Sequence, residues 1–314
     1  MSDFIEKELV IIGAGPAGLS AAIYAQRSMI DAVTIEREAV GGQVILTSDV
    51  DNYPGVPHTD GFSLVDAMQT QAKDLGAQIV MASVSSVERG EDDAFVVRTS
   101  QGDYHTKAVI IAGGATPRPA GFEGEKEYVG RGVSYCATCD GMFFRNKEVF
   151  VIGGGNSAAE EALFLAKLAS KVTLVVRKDH LRAQAMVAKE LEEHPKASIR
   201  FLTSITAVNG AGGIQEVTFR DNTTGEEHVE AFDAPVGVFV FVGRNPASEL
   251  VQSYVDTDEV GYVIANERME TRTPGLFVAG DIRKKSLRQI VTAASDGAIA
   301  ATSVAAYLGQ PVEG

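Results

Sequence analysis

The sequence predicts an α/β protein built as two doubly wound domains, one inserted into the other. Three observations predict it. A strand, a glycine-rich turn and a helix occur twice, about 140 residues apart, and each repeat opens a βαβ unit. Segments of antiparallel character lie between the repeats. A last stretch supplies one more strand, a loop and a long alanine-rich helix, which have no sheet of their own and are expected to complete the first domain.

Taken in order, the apolar run Leu9 to Ile12 enters "GAGPAGLSAAIYAQRS", where glycines give way to alanine and leucine at helical spacing. "AFVVRTS" and "KAVIIAGGATPRPAG" read as antiparallel strands and then a strand into a Gly/Pro hinge, with residues 113–121 as linker. The second repeat, "EVFVIGGGNSAAEEALFLAKLASKVTLVVRKDHLR", runs from Glu148 to Arg182, with its second strand at Val172 to Val176. A comparable break falls at "VFVFVGRNPASEL". After it, "TPGLFVAGDIRKKSLRQIVTAASDGAIAATSVAAYL" gives the final strand, loop and helix. Both domains are expected to be three-layer and Rossmann-like.

Composition narrows the function classes. With 314 residues the chain can bury two cores of ordinary size. A formal charge of -14, from 42 acidic against 28 basic residues, repels phosphate backbones and anionic membranes, so neither nucleic acid nor membrane is expected as a partner. No apolar leader or 18-residue apolar span is seen, and a cytoplasmic location is expected.

The first glycine cluster, Gly13, Gly15 and Gly18 around Ala14, Pro16 and Ala17, fits G-x-G-x-x-G. Such a turn lets a pyrophosphate sit on backbone N–H groups at a helix N-terminus. The following strand ends at Glu36, 23 residues after Gly13, where a carboxylate can accept hydrogen bonds from both ribose hydroxyls. That acid suits a nucleotide without a 2'-phosphate, FAD or NAD. The second cluster, Gly153, Gly155 and Ala158 around Asn156 and Ser157, is the same fingerprint with alanine third. Its strand runs into Arg177, Lys178 and Arg182, cations that point to a 2'-phosphate and hence NADPH, or else form a solvated basic loop.

Two nucleotide sites of opposite charge logic suggest a bound flavin and an exchanging nicotinamide, and the pairing needs an electron acceptor. The only cysteines, Cys136 and Cys139 in "GVSYCATCDGMFF", supply one: vicinal thiols exchange two electrons as a disulfide. A zinc site would need two further ligands, but there is no second cysteine pair and the five histidines are scattered, so no metal is expected. Asp140 follows at once, close enough to pass a proton to a departing thiolate or simply to cap a turn.

"GAGPAG", "GGQ" at Gly41 to Gln43, "DNYPG" at Asp51 to Gly55, "RGVSYCATCDG", "GGGNSAAEEA", "GLFVAGD" and "RQIVTAA" stand in the order and spacing of one family. The chain resembles the low-molecular-weight thioredoxin reductases over essentially its whole length. The resemblance implies a homodimeric flavoenzyme with an FAD domain of residues 1–116 and 246–314 and an NADPH domain, 117–245, carrying the redox pair. Gly13, Gly15, Gly18, Glu36, Gly41, Gly42, Gln43 and Asn52 would line FAD. Gly280 and Asp281 of "AGD" would bind its ribityl or phosphate region, and Arg288, Gln289 and Ile290 would lie by the isoalloxazine. Cys139 would face the flavin, Cys136 would attack the disulfide of thioredoxin, and Asp140 would be the acid.

Arg131, Phe143 and Phe144 match the family's thioredoxin-docking surface, with ordinary core as the other reading of the phenylalanines. The family's H-R-R-x-x-x-R appears as "VRKDHLR", with Val176 and Lys178 as departures. Lysine keeps the charge but loses the bidentate fork, which leaves the donor open. The expected function is electron transfer from NADPH through FAD and Cys136/Cys139 to thioredoxin. The alternatives are a related flavin disulfide oxidoreductase with another donor (ferredoxin or reduced flavin) or another dithiol substrate, and a non-enzymatic flavoprotein that senses redox state.

Overall fold

The computed structural model describes residues 4–47, 50–90 and 93–310. These fall into two compact units: residues 4–46, 50–116 and 245–310 form the first, 47 and 117–244 the second.

In the first unit the sheet order is β3 (Gln78–Met81), β2 (Ala32–Glu36), β1 (Ile5–Ile12), β6 (Tyr104–Ile111), β5 (Phe95–Thr99), β4 (Val84–Arg89), and β16 (Leu276–Val278) also pairs with β6. The pairs β3–β2, β2–β1, β1–β6 and β6–β16 are parallel, whereas β6–β5 and β5–β4 are antiparallel. Strands buried on both faces read as continuous apolar runs, which is why Leu9 to Ile12 carries no alternation. Leu9, Ile11, Ala108, Ile110 and Phe277 pack on one side with helix α1 (Pro16–Arg27) and helix α6 (Ile290–Tyr307). On the other face, Val10, Ile12, Val109, Ile111 and Val278 meet Val87, Phe95 and Val97 of the antiparallel strands. Helix α2 (Gly61–Asp74) is capped by Asp60, whose carboxylate accepts the Ser63 N–H.

The second unit repeats this plan strand for strand. Its order is β11 (Ala197–Arg200), β10 (Lys171–Val175), β9 (Glu148–Ile152), β14 (Glu227–Val240), β13 (Ile214–Asp221), β12 (Thr203–Asn209), with β8 (Val133–Ser134) pairing with β14 as β16 does with β6. Helix α4 (Asn156–Ala166) and helix α5 (Ala185–Glu193) cover one face through Ala158, Ala162, Leu165 and Leu191. Phe150, Val217, Phe219 and Val238 fill the other. After residue 50 the chain passes from the first unit to the second at 116/117 and returns at 244/245, within the short paired strands β7 (Ala115–Pro117) and β15 (Arg244–Pro246). The expected three-layer, doubly wound α/β class is what both sheets show.

Among the described residues, α6 alone is long and apolar enough to span a membrane by length and composition. Its alanines nevertheless pack in the core with α1, and it buries Asp296 among them. These are the marks of a core helix.

Candidate active site

The first glycine turn divides its work among three positions. A Cβ on Gly13, whose φ is 104°, would lie 2.5 Å from the Ala112 carbonyl oxygen, and one on Gly18 would lie 1.8 Å from the Gly13 oxygen. Those two glycines let helix and strand touch. Gly15 is different, because its Cβ would meet nothing nearer than 4.0 Å. It caps α1 and borders open space, so a side chain there would fill room that a ligand can take.

Glu36 reaches back to this turn. Its Oε2 accepts the Ala14 N–H at 2.8 Å, and its Oε1 accepts the N–H groups of Arg37 and Glu38. The Gly41 N–H donates to the Ala14 carbonyl at 2.8 Å, and Gly42 opens a 3-10 turn with Gln43 exposed beside it. The tail arrives at the same place: a Cβ on Gly280 would be 2.9 Å from that of Ala17. Arg288 lies 3.8 Å above the Tyr262 ring and donates to the Asp281 carbonyl, while Asn52 Nδ2 donates to Gln289 Oε1 at 3.2 Å. Gln289 caps α6, whose first residue is Ile290. Glu36, Gly41 and Gly280, far apart in sequence, thus meet one turn, and Asn52 meets the start of α6.

In the second unit a Cβ on Gly153 would strike the Ala158 Cβ at 2.5 Å and the Phe241 oxygen at 2.6 Å, whereas one on Gly155 would meet nothing within 4 Å. The open middle position recurs. Asn156 Oδ1 accepts the Gln184 N–H at 2.7 Å, and the Arg182 N–H donates to the Gly154 carbonyl at 2.7 Å. These bonds hold the basic loop to the turn. Ser157 is exposed and Ala158 buried. Arg177, Lys178 and Arg182 have exposed side chains, and Asn222 Nδ2 fixes the Arg177 carbonyl at 3.1 Å. Asp179 interrupts the cations, and its hydrogen bond to the neighbouring His180 holds its carboxyl below the usual carboxylate range.

The same unit carries the cysteines, joined as a disulfide with Cα atoms 5.3 Å apart. Cys136 caps the single-turn helix α3 (Ala137–Asp140), and its sulfur accepts the Cys139 N–H at 3.2 Å. A donor there favours the thiolate once the disulfide is reduced. Asp140 stands at the start of the 3-10 turn Gly141–Phe144, but its side chain makes no cap hydrogen bond there. Its Oδ2 accepts the Ser134 hydroxyl at 2.6 Å, and burial pushes its pKa up while that bond pulls it down. A carboxyl held above its ordinary range is suited to carrying a proton.

Of the large apolar residues after the pair, Met142 and Phe143 are exposed, but Phe144 is half-buried and packs edge-on against Phe239 at 5.2 Å, against the core. Arg131 is exposed and lies over the Tyr128 ring. No group of three or more His, Cys, Asp or Glu that could hold a metal occurs among the described residues.

A family model described as pyridine nucleotide-disulphide oxidoreductase matches residues 7–297. The chain is 45% identical over 307 residues to the thioredoxin reductase of Peptoclostridium litorale, with 96% of each chain covered. To that of Bacillus subtilis (strain 168) it is 44% identical over 302 residues, covering 96% of this chain and 94% of the relative. The chain belongs to the thioredoxin reductases of this family. A solved thioredoxin reductase from Streptococcus pyogenes matches with a TM-score of 0.88 at 40% identity, over 98% of this chain and 99% of that one. Enzymes of this family are oxidoreductases that use FAD and NADPH, and the open Gly15 and Gly155 positions are cradles of the kind a dinucleotide pyrophosphate needs.

Sequence reasoning missed three side-chain groups. Ser134, which is buried, touches both Asp140 and the Cys136 backbone. Glu125, 3% exposed, accepts the N–H groups of Ala120 and Gly121 and the Tyr135 hydroxyl, and so ties residues beside the crossing to the residue before Cys136. Burial first, and then the bond to Glu125, drive the Tyr135 pKa upward. Asp296 binds Arg283 Nη1 at 2.8 Å, Lys285 Nζ at 3.0 Å and the Gly280 N–H at 3.0 Å, pinning the loop that precedes α6.

Proposed function

We propose that this chain passes electrons from NADPH through FAD and the Cys136–Cys139 disulfide to thioredoxin or a thioredoxin-like protein, as a cytoplasmic homodimer. The observation that carries the reading is the disulfide at the mouth of α3 with a half-buried, raised-pKa carboxyl next to it.

Each residue has a part. The turn Gly13–Gly18 holds the FAD pyrophosphate on its N–H groups, and Glu36 and the Gly41–Gln43 segment border the same turn. Asn52, Gly280, Asp281, Arg288, Gln289 and Ile290 form the flavin end. Gly153–Ala158 cradles NADPH, and Arg177, Lys178 and Arg182 grip the 2'-phosphate. When bound, FAD supplies the two-electron relay between nicotinamide and disulfide. Cys136 attacks the disulfide of the partner and forms a mixed disulfide; Cys139 then attacks the Cys136 sulfur and releases the second partner thiolate. Asp140 carries the proton that the departing thiolate takes up.

A second reading, with ferredoxin or reduced flavin as donor, follows from Val176 and Lys178, which depart from the family's phosphate-binding pattern, lysine lacking the bidentate fork. Anaerobic stopped-flow with NADPH, NADH and reduced ferredoxin, followed by thioredoxin, separates the two. Fast flavin bleaching by NADPH and reoxidation by thioredoxin is expected; bleaching by ferredoxin alone would transfer the role of donor.

A further inference from the structure

Ser134 has one hydroxyl proton and two acceptors for it, Asp140 Oδ2 at 2.6 Å and the Cys136 carbonyl at 3.1 Å. Its oxygen also accepts the Cys136 N–H at 3.0 Å. The residue is 3% exposed, so water does not arbitrate between the two. The Cys136 carbonyl already accepts the Asp140 N–H at 3.1 Å, so it keeps a partner whether or not the hydroxyl turns toward it.

We propose that Ser134 is a positioning residue whose hydroxyl reverses with the protonation of Asp140. It donates to the ionised carboxylate; when Asp140 takes a proton, the carboxyl O–H donates to Ser134 Oγ and the serine proton turns to the Cys136 carbonyl. Ser134 Oγ, the Cys136 N–H and the Cys136 carbonyl are satisfied in both states. The proton stays on Asp140, and the serine keeps its own. The same oxygen holds the Cys136 N–H throughout, so the carboxyl's charge state is coupled to the backbone of the attacking cysteine.

The surroundings leave Ser134 as the main polar influence on Asp140. Burial and the serine bond are its resolved effects, with no charged side chain among them. The 3-10 turn Gly141–Phe144 carries no charge. Packed on α3, α4 turns Phe164 and Leu165 toward Gly141, and its half-buried Glu161 is pushed up first by burial and then by Glu160, with Arg244 opposing. Cys136 and Cys139 are joined as a disulfide and do not titrate in the oxidised protein.

The proposal rests on the reading of Asp140 as proton carrier, and the test separates the two. The carboxyl stretch of Asp140 is titrated by difference infrared in the oxidised holoenzyme, alongside the pH profile of thioredoxin reduction. Ser134→Ala should move the midpoint up by roughly 0.5–1 pH unit in both, the difference between losing a hydrogen bond to the charged carboxylate and losing one to the neutral acid. Ser134→Thr should restore the wild-type midpoint. A merely structural serine would lower rates at every pH and leave the midpoint in place, and that result overturns the proposal. If the alanine chain does not fold, Ser134→Thr against Ser134→Val, alike in shape, makes the same comparison. A pH profile unmoved by Asp140→Asn would instead refute the proton-carrier reading.

Discussion

Replacing Gly155 and Gly153 by alanine, one at a time, should split nucleotide binding from folding. At Gly155 the new methyl meets no atom within 4 Å, and the backbone there, φ -99° and ψ -178°, suits any residue. Alanine caps a helix less well than glycine, by about 0.5–1 kcal/mol, but it restrains the unfolded chain by about 0.4–1 kcal/mol, so the two effects offset. Stability should therefore stay within roughly 0.5 kcal/mol of wild type. NADPH should suffer. If the methyl takes the place of the pyrophosphate against the turn, a charge-assisted hydrogen bond worth about 1.5–3 kcal/mol is lost, or roughly 10- to 150-fold in affinity. At Gly153 the methyl would sit 2.5 Å from the Ala158 Cβ and 2.6 Å from the Phe241 oxygen. Helix and strand must part, at an overpacking cost of about 1–3 kcal/mol or more. Urea unfolding and equilibrium NADPH titration of the holoenzyme read the two quantities. Wild-type NADPH affinity in Gly155→Ala, or a wild-type urea midpoint in Gly153→Ala, would refute the division of labour within the turn.

Three further outcomes are expected. With Cys136→Ser or Cys139→Ser, NADPH should still bleach the flavin while thioredoxin turnover disappears; turnover at the wild-type rate in either variant would remove the redox-pair reading. Changing Arg177 and Arg182 together to Ala should weaken NADPH by about 2–4 kcal/mol and leave NADH nearly unchanged, measured as the ratio of kcat/KM values. Asp140 should leave a pH signature on stability. Its folded pKa is raised, so between the unfolded and folded values the native state binds the extra proton and stability falls as pH rises through that window. Asp140→Asn should flatten this fall and be more stable than wild type above it; parallel stability curves for the two proteins would show that burial does not disfavour the ionised carboxyl.

What could be read from the sequence and what could not follow a physical line. The glycine turns were legible because the demand falls on the backbone: only glycine fits at Gly13, Gly18 and Gly153, and the strand before each turn is apolar because both its faces are buried. The acid at Glu36 and the cations after Val176 were legible by register, since a strand of known start ends at a countable distance. The doubly wound class followed from the repeat, yet the duplication of the antiparallel strands, β4–β5–β6 mirrored by β12–β13–β14, is visible only in the pairing.

Side chains that act across the fold left no such mark. Glu125 sits in "EGEKEY", a run that reads as a solvated acidic face, and only the return of residues 120 and 121 to its carboxylate makes it a buried acceptor. Asp296 looks like a polar interruption in an alanine helix until Arg283 and Lys285 fold back onto it. Burying such an acid costs several kcal/mol unless cations and N–H groups surround it, and removing one partner is more damaging than never having had the pair. This loop and helix therefore have to arrive together. The same logic separates Phe143 from Phe144: adjacent and chemically identical, one faces solvent and the other packs edge-on against Phe239, because a 3-10 turn rotates successive side chains by about a third of a turn. Composition cannot distinguish them, and the path of four residues does.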